Sequence, residues 1–460
     1  MARLDHTFAS MSTSSTAAPS HETGEGPARD RILSRPLLLV FLSEFCVLTS
    51  FYLLLSVTPK YVAARAGSTG AGLVTGMLLL GTVAAELAAP LLMKRYGYRT
   101  VLAAGALLLG APALALLPAG PLVITVTVSV VRGLGFGLCG VVAGAFTAVL
   151  LPPDRRGEGL GLSGVVDGVP GVIALPAGLW LADHYGYAVV IGLAAAVALL
   201  PLAVVPWLPG GADRRATDAP AEAGQPAGLL AGLRQGRLLR PALIFAASTV
   251  AGGVIVSFLP IAAGVSGNLA AVGLLAQALT ATISPWWAGR HGDRHGHARL
   301  LAPGLAIASL GMGAMIWLSS PAAVIAGMCL FGIGFGIIQN ATLALMIDRV
   351  PPSGVGTASA LWSLAYDAGY GAGPAAFGLL VIHTGYAAGF ALTGALMLAA
   401  LPVAWRERSA DSGLTVDLVV QPDDAVGGDL RVQQAQPGRG LAGPKGDAVE
   451  GGRRSQAAGQ

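Results

Sequence analysis

Five ionisable residues, Glu44, Glu86, Arg132, Asp167 and Asp367, lie inside runs that are otherwise apolar. A carboxyl group in a low-dielectric layer can bind and release a proton or hold a cation, and an ionised one costs several kcal/mol at mid-bilayer. Each of these residues is therefore a functional candidate by default. Four acids face a single Arg132, so the set would carry a net −3 if fully ionised. Like charges so close in a poor solvent for ions call for neutralisation by protons or a bound cation. A carrier that trades a proton for its cargo needs that property. The competing structural reading ties Arg132 to Glu44 or Glu86 as an interhelical ion pair. Glu86 reads equally as a structural residue or a cargo contact.

The elements that hold these residues are apolar segments of roughly 20 residues, the length of a membrane span. Twelve can be read, at 36–58, 70–93, 100–118, 122–150, 158–181, 187–208, 241–263, 268–289, 300–318, 321–347, 357–381 and 386–405. Counting 1.5 Å per residue from the span ends puts Glu44 roughly 13 Å deep, Glu86 roughly 12 Å, Asp167 and Asp367 roughly 13–15 Å and Arg132 roughly 16 Å. All approach the middle of a core about 30 Å thick. Gln339 and Asn340 on the tenth span are expected at the same level. Tyr366 and Tyr370, four apart and flanking Asp367, are the aromatic residues best placed to line a cavity for a lipophilic or cationic cargo.

Composition agrees with this reading. The chain of 460 residues is 54% hydrophobic and 11% charged, with a mean hydropathy of +0.68. A soluble domain carries about 25% charged residues, so a soluble enzyme and a disordered protein are excluded. Cys46, Cys139 and Cys329 sit in apolar runs with no metal or disulfide spacing. All seven histidines fall in tails or loops, which leaves a membrane-embedded enzyme without a catalytic cluster. No cofactor, metal site or catalytic residue is expected. The net charge of +4 comes from loop placement and gives no reason to expect a nucleic acid.

The polar ends, 1–35 and 406–460, are expected to be disordered tails, and no apolar run of signal-peptide length lies in the first. The polar stretch 209–240 is expected to link two six-helix bundles, 36–208 and 241–405. Nineteen Lys and Arg flank the spans on the side of the N-terminus, against Lys60 and Arg65 on the other. The positive-inside rule then places both tails and the linker in the cytoplasm.

The chain also repeats itself at a constant shift of 199 residues. Arg95 and Gly97 fall on Arg294 and Gly296, and the glycines 133, 135 and 137 fall on Gly332, Gly334 and Gly336. Pro152 and Pro153 fall on Pro351 and Pro352, and His184, Gly186 and Tyr187 fall on His383, Gly385 and Tyr386. Each half has an even number of spans, so the repeats run parallel, an arrangement used by transporters. The Gly-rich stretches lie within apolar helices and lack a Lys-Ser/Thr pair, so they are packing surfaces and not phosphate loops.

Between spans 8 and 9, Gly289, Asp293, Arg294 and Gly296 form a G-x-x-x-D-R-x-G loop. The first-half counterpart keeps Arg95 and Gly97 but has Lys94 in the acidic place. Span 5 carries Gly171 and Pro176, and span 11 carries an intact Gly373-Pro374. On these residues the chain, over about 36–405, resembles the major facilitator superfamily, in particular its twelve-helix drug:proton antiporter branch. The resemblance implies an all-α membrane protein of twelve transmembrane helices in two parallel six-helix repeats. It also implies a gating role for the loop motif, with Asp293 carrying more of it than the first half. The function implied is secondary active, proton-coupled efflux of small lipophilic or drug-like molecules across the cell membrane. Its partners would be the small-molecule substrate, protons and the lipid bilayer, and the protein would act as a monomer. Proton-coupled uptake of a sugar or other metabolite is the alternative that the same fold supports.

Overall fold

The computed structural model describes residues 34–118, 120–150, 156–208, 232, 234–351 and 354–409. Among these the chain is all-helical, with no strand. Ten apolar stretches are long enough to cross a membrane, but two of them, Arg35–Tyr96 and Val355–Ser409, contain 62 and 55 residues. A helix of that length would reach roughly 80–90 Å, far beyond one bilayer. Each is broken by a single glycine, Gly67 at φ 64° and Gly385 at φ 73°, a conformation that side chains with a Cβ avoid. The breaks convert ten stretches into twelve spans.

Spans 1 and 2 are thus 35–66 and 68–96. Spans 3 to 6 are Tyr98–Leu116, Leu122–Leu150, Arg156–Tyr185 and Tyr187–Trp207, and spans 7 to 10 are Gly236–Ile261, Gly267–His295, Ala298–Trp317 and Pro321–Asp348. Spans 11 and 12 are 355–384 and 386–409. Several differ from the sequence reading at their ends. The outer loop expected at 59–69 is helical down to residue 66, because the helix resumes at Val57 after a turn at Ser56 and breaks only at Gly67. The linker expected to end at 240 gives way to helix at Gly236. Span 12 continues to Ser409, four residues into the expected tail, and buries Glu407 against Arg349 and Arg240. The rest of the tails and most of the linker lie outside the described residues, as do Pro152, Pro153 and Pro352 of the repeat.

Local signals start and stop these helices. Ser34, Ser266 and Ser320 cap spans 1, 8 and 10 by accepting hydrogen bonds from backbone N–H groups three residues on. Gly97 and Gly296, equivalent in the two repeats, end spans 2 and 8 at φ 79° and 90°.

The 199-residue shift holds at the level of individual contacts. In the first half Gly133 and Gly137 rest on the backbone of Leu78 and Thr82 of span 2, and Gly135 rests on Gly105 and Leu109 of span 3. In the second half Gly332 and Gly336 rest on Gln277 and Ala281 of span 8, and Gly334 on Gly304 and Ala308 of span 9. Every one of these partners is displaced by 199. A Cβ on Gly133 would lie 1.9 Å from the Leu78 carbonyl oxygen, and one on Gly334 would lie 2.5 Å from that of Gly304. Only glycine permits backbones this close, and in lipid such packing holds helices together.

Contacts between the halves run along spans 2 and 11 and along spans 5 and 8. Gly72 abuts the Pro374 carbonyl, and Gly378 abuts that of Ser68. The Ser68 hydroxyl donates to the Gly378 carbonyl at 3.1 Å, and Thr75 and Ser257 share a hydroxyl–hydroxyl bond of 3.1 Å. Gly168 of span 5 meets Thr282 of span 8. Lys60 pairs with Asp183, near the end of span 5, at 2.5 Å, and Asp183 crowds Gly267 at the start of span 8.

Candidate functional site

The four intramembrane acids meet as two pairs. The carboxyl group of Glu44 of span 1 lies beside that of Asp167 of span 5. The carboxyl group of Glu86 of span 2 lies beside that of Asp367 of span 11. The first pair lies within one repeat, and the second bridges the two. Two carboxylates have no hydrogen to donate, so a hydrogen bond within either pair requires one member to carry a proton. The pairs differ in access. Asp367 is buried, whereas Asp167 is exposed. Glu44 Oε2 is buried and has no hydrogen-bond donor among the described residues.

Aromatic rings surround the pairs. Tyr52, two helical turns after Glu44 on span 1, interacts electrostatically with both Asp167 and Asp367. It also interacts with Tyr366 and Tyr370. Its ring packs on Gly171, whose Cα carries no side chain to displace it. Tyr366 and Tyr370 stack at 5.3 Å. Phe245 of span 7 stacks on Trp362 at 4.5 Å and lies 5.8 Å from Tyr366. Phe335 of span 10 meets Tyr366 edge-on at 6.4 Å. On the first-half side Phe136 stacks on Phe51 at 3.8 Å. Acids and rings from spans 1, 2, 5, 7, 10 and 11 thus form one connected group that draws on both halves.

Span 11 is held in place by its Gly-Pro step. Pro374 has no N–H to give to the Tyr370 carbonyl, and Gly253 of span 7 packs on that exposed oxygen. Gly373 packs on the Val250 carbonyl of the same span. In span 5, Pro176 is buried, and the carbonyl of the preceding Leu175 accepts from Ser56 at 3.5 Å.

Some expected members of the layer lie elsewhere. Arg132 is buried but pairs with neither Glu44 nor Glu86. It donates to the carbonyl oxygens of Leu109 at 3.2 Å and Ser50 at 3.4 Å. Span 3 tightens into a 3-10 turn at Ala111, where the donor to Leu109 would be Pro112, which has no N–H. The guanidinium takes that vacant place. Asn340 lies against Gly289 of span 8, about one turn closer than Pro285 to the loop between spans 8 and 9. Span 10 runs for 28 residues, roughly 42 Å, and this excess length makes depth counted from its ends misleading. Gln339 is the preceding residue, and no contact joins its side chain to the group.

The loop motif forms a separate cluster. Asp293 is largely exposed and lies 3.5 Å from His297, whose other ring nitrogen is 3.5 Å from Asp348. This joins the ends of spans 8, 9 and 10 within the second half. Arg294 is exposed, and Arg95 lies over the Tyr96 ring at 5.3 Å. Tyr52, Phe245, Trp362 and Phe335 were absent from the sequence-derived site. The spacing of Tyr52 from Glu44 was the one available signal.

A bundle of twelve apolar helices in two parallel repeats, with its ionisable groups gathered between them, defines a polytopic membrane transporter. The profile of the Major Facilitator Superfamily matches residues 40–287 and 261–417, and the chain belongs to that family. It is accordingly a multi-pass membrane transporter of small molecules and not an enzyme. Among solved structures it resembles the xylose transporter XylE from E. coli in a partially occluded inward-open conformation. That likeness has a TM-score of 0.64 and 15% identity over 81% of this chain and 96% of the other. It also resembles the nucleoside transporter NupG, with a TM-score of 0.60 and 12% identity over 82% and 99% of the two chains. At these identities the likeness is one of fold. A stretch of 123 residues is 33% identical to the tetracenomycin C resistance and export protein of Streptomyces glaucescens, covering 27% of this chain and 23% of that one. The match thus spans about a quarter of the curated relative.

Proposed function

We propose that the chain is a proton-coupled exporter of small lipophilic molecules that works by alternating access in the cell membrane. The observation that carries this reading is the Glu86–Asp367 pair, two carboxyl groups that meet across the boundary between the two repeats. With one shared proton the pair ties span 2 to span 11. Without it, two like charges face each other in a medium that solvates them poorly. Proton occupancy then biases how closely the halves approach, which is the coupling an antiporter needs. The aromatic group of Tyr52, Trp362, Tyr366 and Tyr370 supplies an apolar surface for cargo, and Glu44 Oε2 supplies an acceptor for a donor on it.

In this reading 36–208 and 241–405 move as two bundles about the site, and the tails and linker face the cytoplasm. The protein acts as a monomer. The Asp293–His297–Asp348 contact holds one state of the cycle. The partial match to an export protein supports the outward direction. Proton-coupled uptake of a sugar or nucleoside-like metabolite is the second reading, favoured by the fold shared with a D-xylose–proton symporter. A panel of dyes, antibiotics, sugars and nucleosides in proteoliposomes under an imposed pH gradient separates the two. Gradient-driven accumulation of lipophilic compounds alone supports efflux, and accumulation of sugars or nucleosides alone overturns it.

A further inference from the structure

One flank of span 8 changes chemistry along its length. Span 10 occupies one side of this helix, at Gln277, Ala281 and Ser284, and span 5 occupies another, at Thr282. At about 100° per residue, Ile283, Trp286, Trp287, Arg290 and Arg294 fall on the flank left over. Ile283 is 64% exposed, Trp286 68% and Trp287 51%, and both arginines are exposed. The Arg290 guanidinium lies over the Trp286 ring, 3.8 Å from its centre. His291 stacks on Trp287 at 5.0 Å, and His295 on His291 at 4.3 Å.

From the bilayer interior to its basic rim, this flank therefore presents an aliphatic residue, an indole ledge and a guanidinium in turn. A phospholipid presents the matching order of acyl chain, glycerol ester and phosphate. Indoles favour the ester level of a membrane. A guanidinium matches phosphate oxygens with a rigid fork of donors, and stacking on Trp286 holds that fork in one orientation. Asp293, the nearest acid along the helix, lies 3.5 Å from His297, and Arg290 and Arg294 outnumber it on this flank.

The other repeat provides an internal comparison. The positions equivalent to Trp286, Trp287 and Arg290 are Leu87, Ala88 and Leu91. Leu87 and Leu91 are exposed like their counterparts, at 37% and 68%. The repeat accounts for the exposure, but the indoles and the cation belong to span 8 alone. A solvated charge obeying the positive-inside rule accounts for Arg290 by itself and does not account for the ring beneath it.

We propose that Trp286 and Arg290 form a binding site for the phosphate headgroup of an anionic membrane lipid, on the flank of span 8 beside its boundary with span 5. Trp286 is one turn from Thr282, where the two halves meet, so a lipid held there lies at the seam that must open and close. Lipid composition would thereby act on the transport cycle from outside the cargo site.

The test uses the full chain in detergent micelles containing equal amounts of phosphatidylglycerol and phosphatidylcholine, with retained lipids counted by native mass spectrometry. The wild type should retain phosphatidylglycerol in preference. Arg290→Gln should lower that preference about fivefold, the worth of one cation near an anionic surface. Trp286→Leu should lower it as well, and Trp286→Phe should keep most of it. Arg234→Gln removes an exposed cation before span 7 and should leave the preference unchanged. Equal retention of both lipids by the wild type would overturn the proposal. So would a loss in Arg234→Gln as large as that in Arg290→Gln, which would mark a general charge effect.

Discussion

The carboxyl groups of Glu86 and Asp367 lie side by side across the boundary between the two repeats. Neither residue has an acidic counterpart at the 199-residue shift, where Pro285 and Gly168 stand. The repeat thus supplies the scaffold, and the chemistry at its centre is asymmetric. A hydrogen bond between these two groups needs a proton, and they belong to bodies that the proposed cycle moves apart.

Helix packing gives a prediction that does not depend on cargo. Gly133→Ala and Gly332→Ala should each destabilise the protein by about 1–3 kcal/mol through overpacking, because the added methyl would overlap the Leu78 carbonyl or the Thr280 hydroxyl. Gly140→Ala and Gly192→Ala meet open space and should be neutral. Thermal unfolding of the purified protein in detergent compares the four.

Arg132 should behave as a structural residue. Its replacement by Met would leave the Leu109 and Ser50 carbonyls without their donor, at about 1–3 kcal/mol. The variant should lose thermal stability while keeping the pH dependence of transport in whatever protein remains folded. A shifted pH profile at unchanged stability would instead place Arg132 in the coupling machinery.

Tyr52→Phe removes a hydroxyl that interacts electrostatically with Asp167 and Asp367 and keeps the ring that packs on Gly171. Transport should fall severalfold, with little change in melting temperature. Initial transport rates at matched protein levels test this, and an unchanged rate would reduce Tyr52 to a packing residue.

Orientation is open to direct labelling. Single cysteines at Ala212 and Asn268, in a background without Cys46, Cys139 and Cys329, should respond oppositely to a membrane-impermeant thiol reagent added to intact cells. Asn268 is the better outer site, because a side chain at Gly267 would collide with Asp183. Labelling at residue 268 alone is the expected result, and labelling at 212 alone would invert the topology.

Much of the fold was legible in the sequence because the repeat is written into backbone contacts. A glycine facing a helix backbone cannot change without a clash, so Gly133 and its partners kept their spacing from Leu78, and the shift could be read directly. The acids were recognisable as a set because charge is rare in apolar runs. Their pairing was not legible, since it depends on how each helix is rotated about its axis, and composition does not encode that angle. Arg132 was assigned to the wrong partners for a local reason, as Pro112 frees a carbonyl that only the backbone course of span 3 reveals. The contact of Asn340 with Gly289 was not legible either, because a span longer than the membrane core makes both ends unreliable rulers.

The central claim is that the proton held between Glu86 and Asp367 is exchanged in each transport cycle. Asp367→Asn keeps a hydrogen-bonding side chain of the same shape but cannot release that proton. The decisive measurement is cargo uptake into inside-out vesicles with and without an imposed pH gradient, alongside equilibrium cargo binding. The variant should bind cargo nearly as well as the wild type and fail to concentrate it when the gradient is applied. Gradient-driven accumulation by Asp367→Asn at the wild-type level would contradict the account and move the coupling site to Glu44 and Asp167.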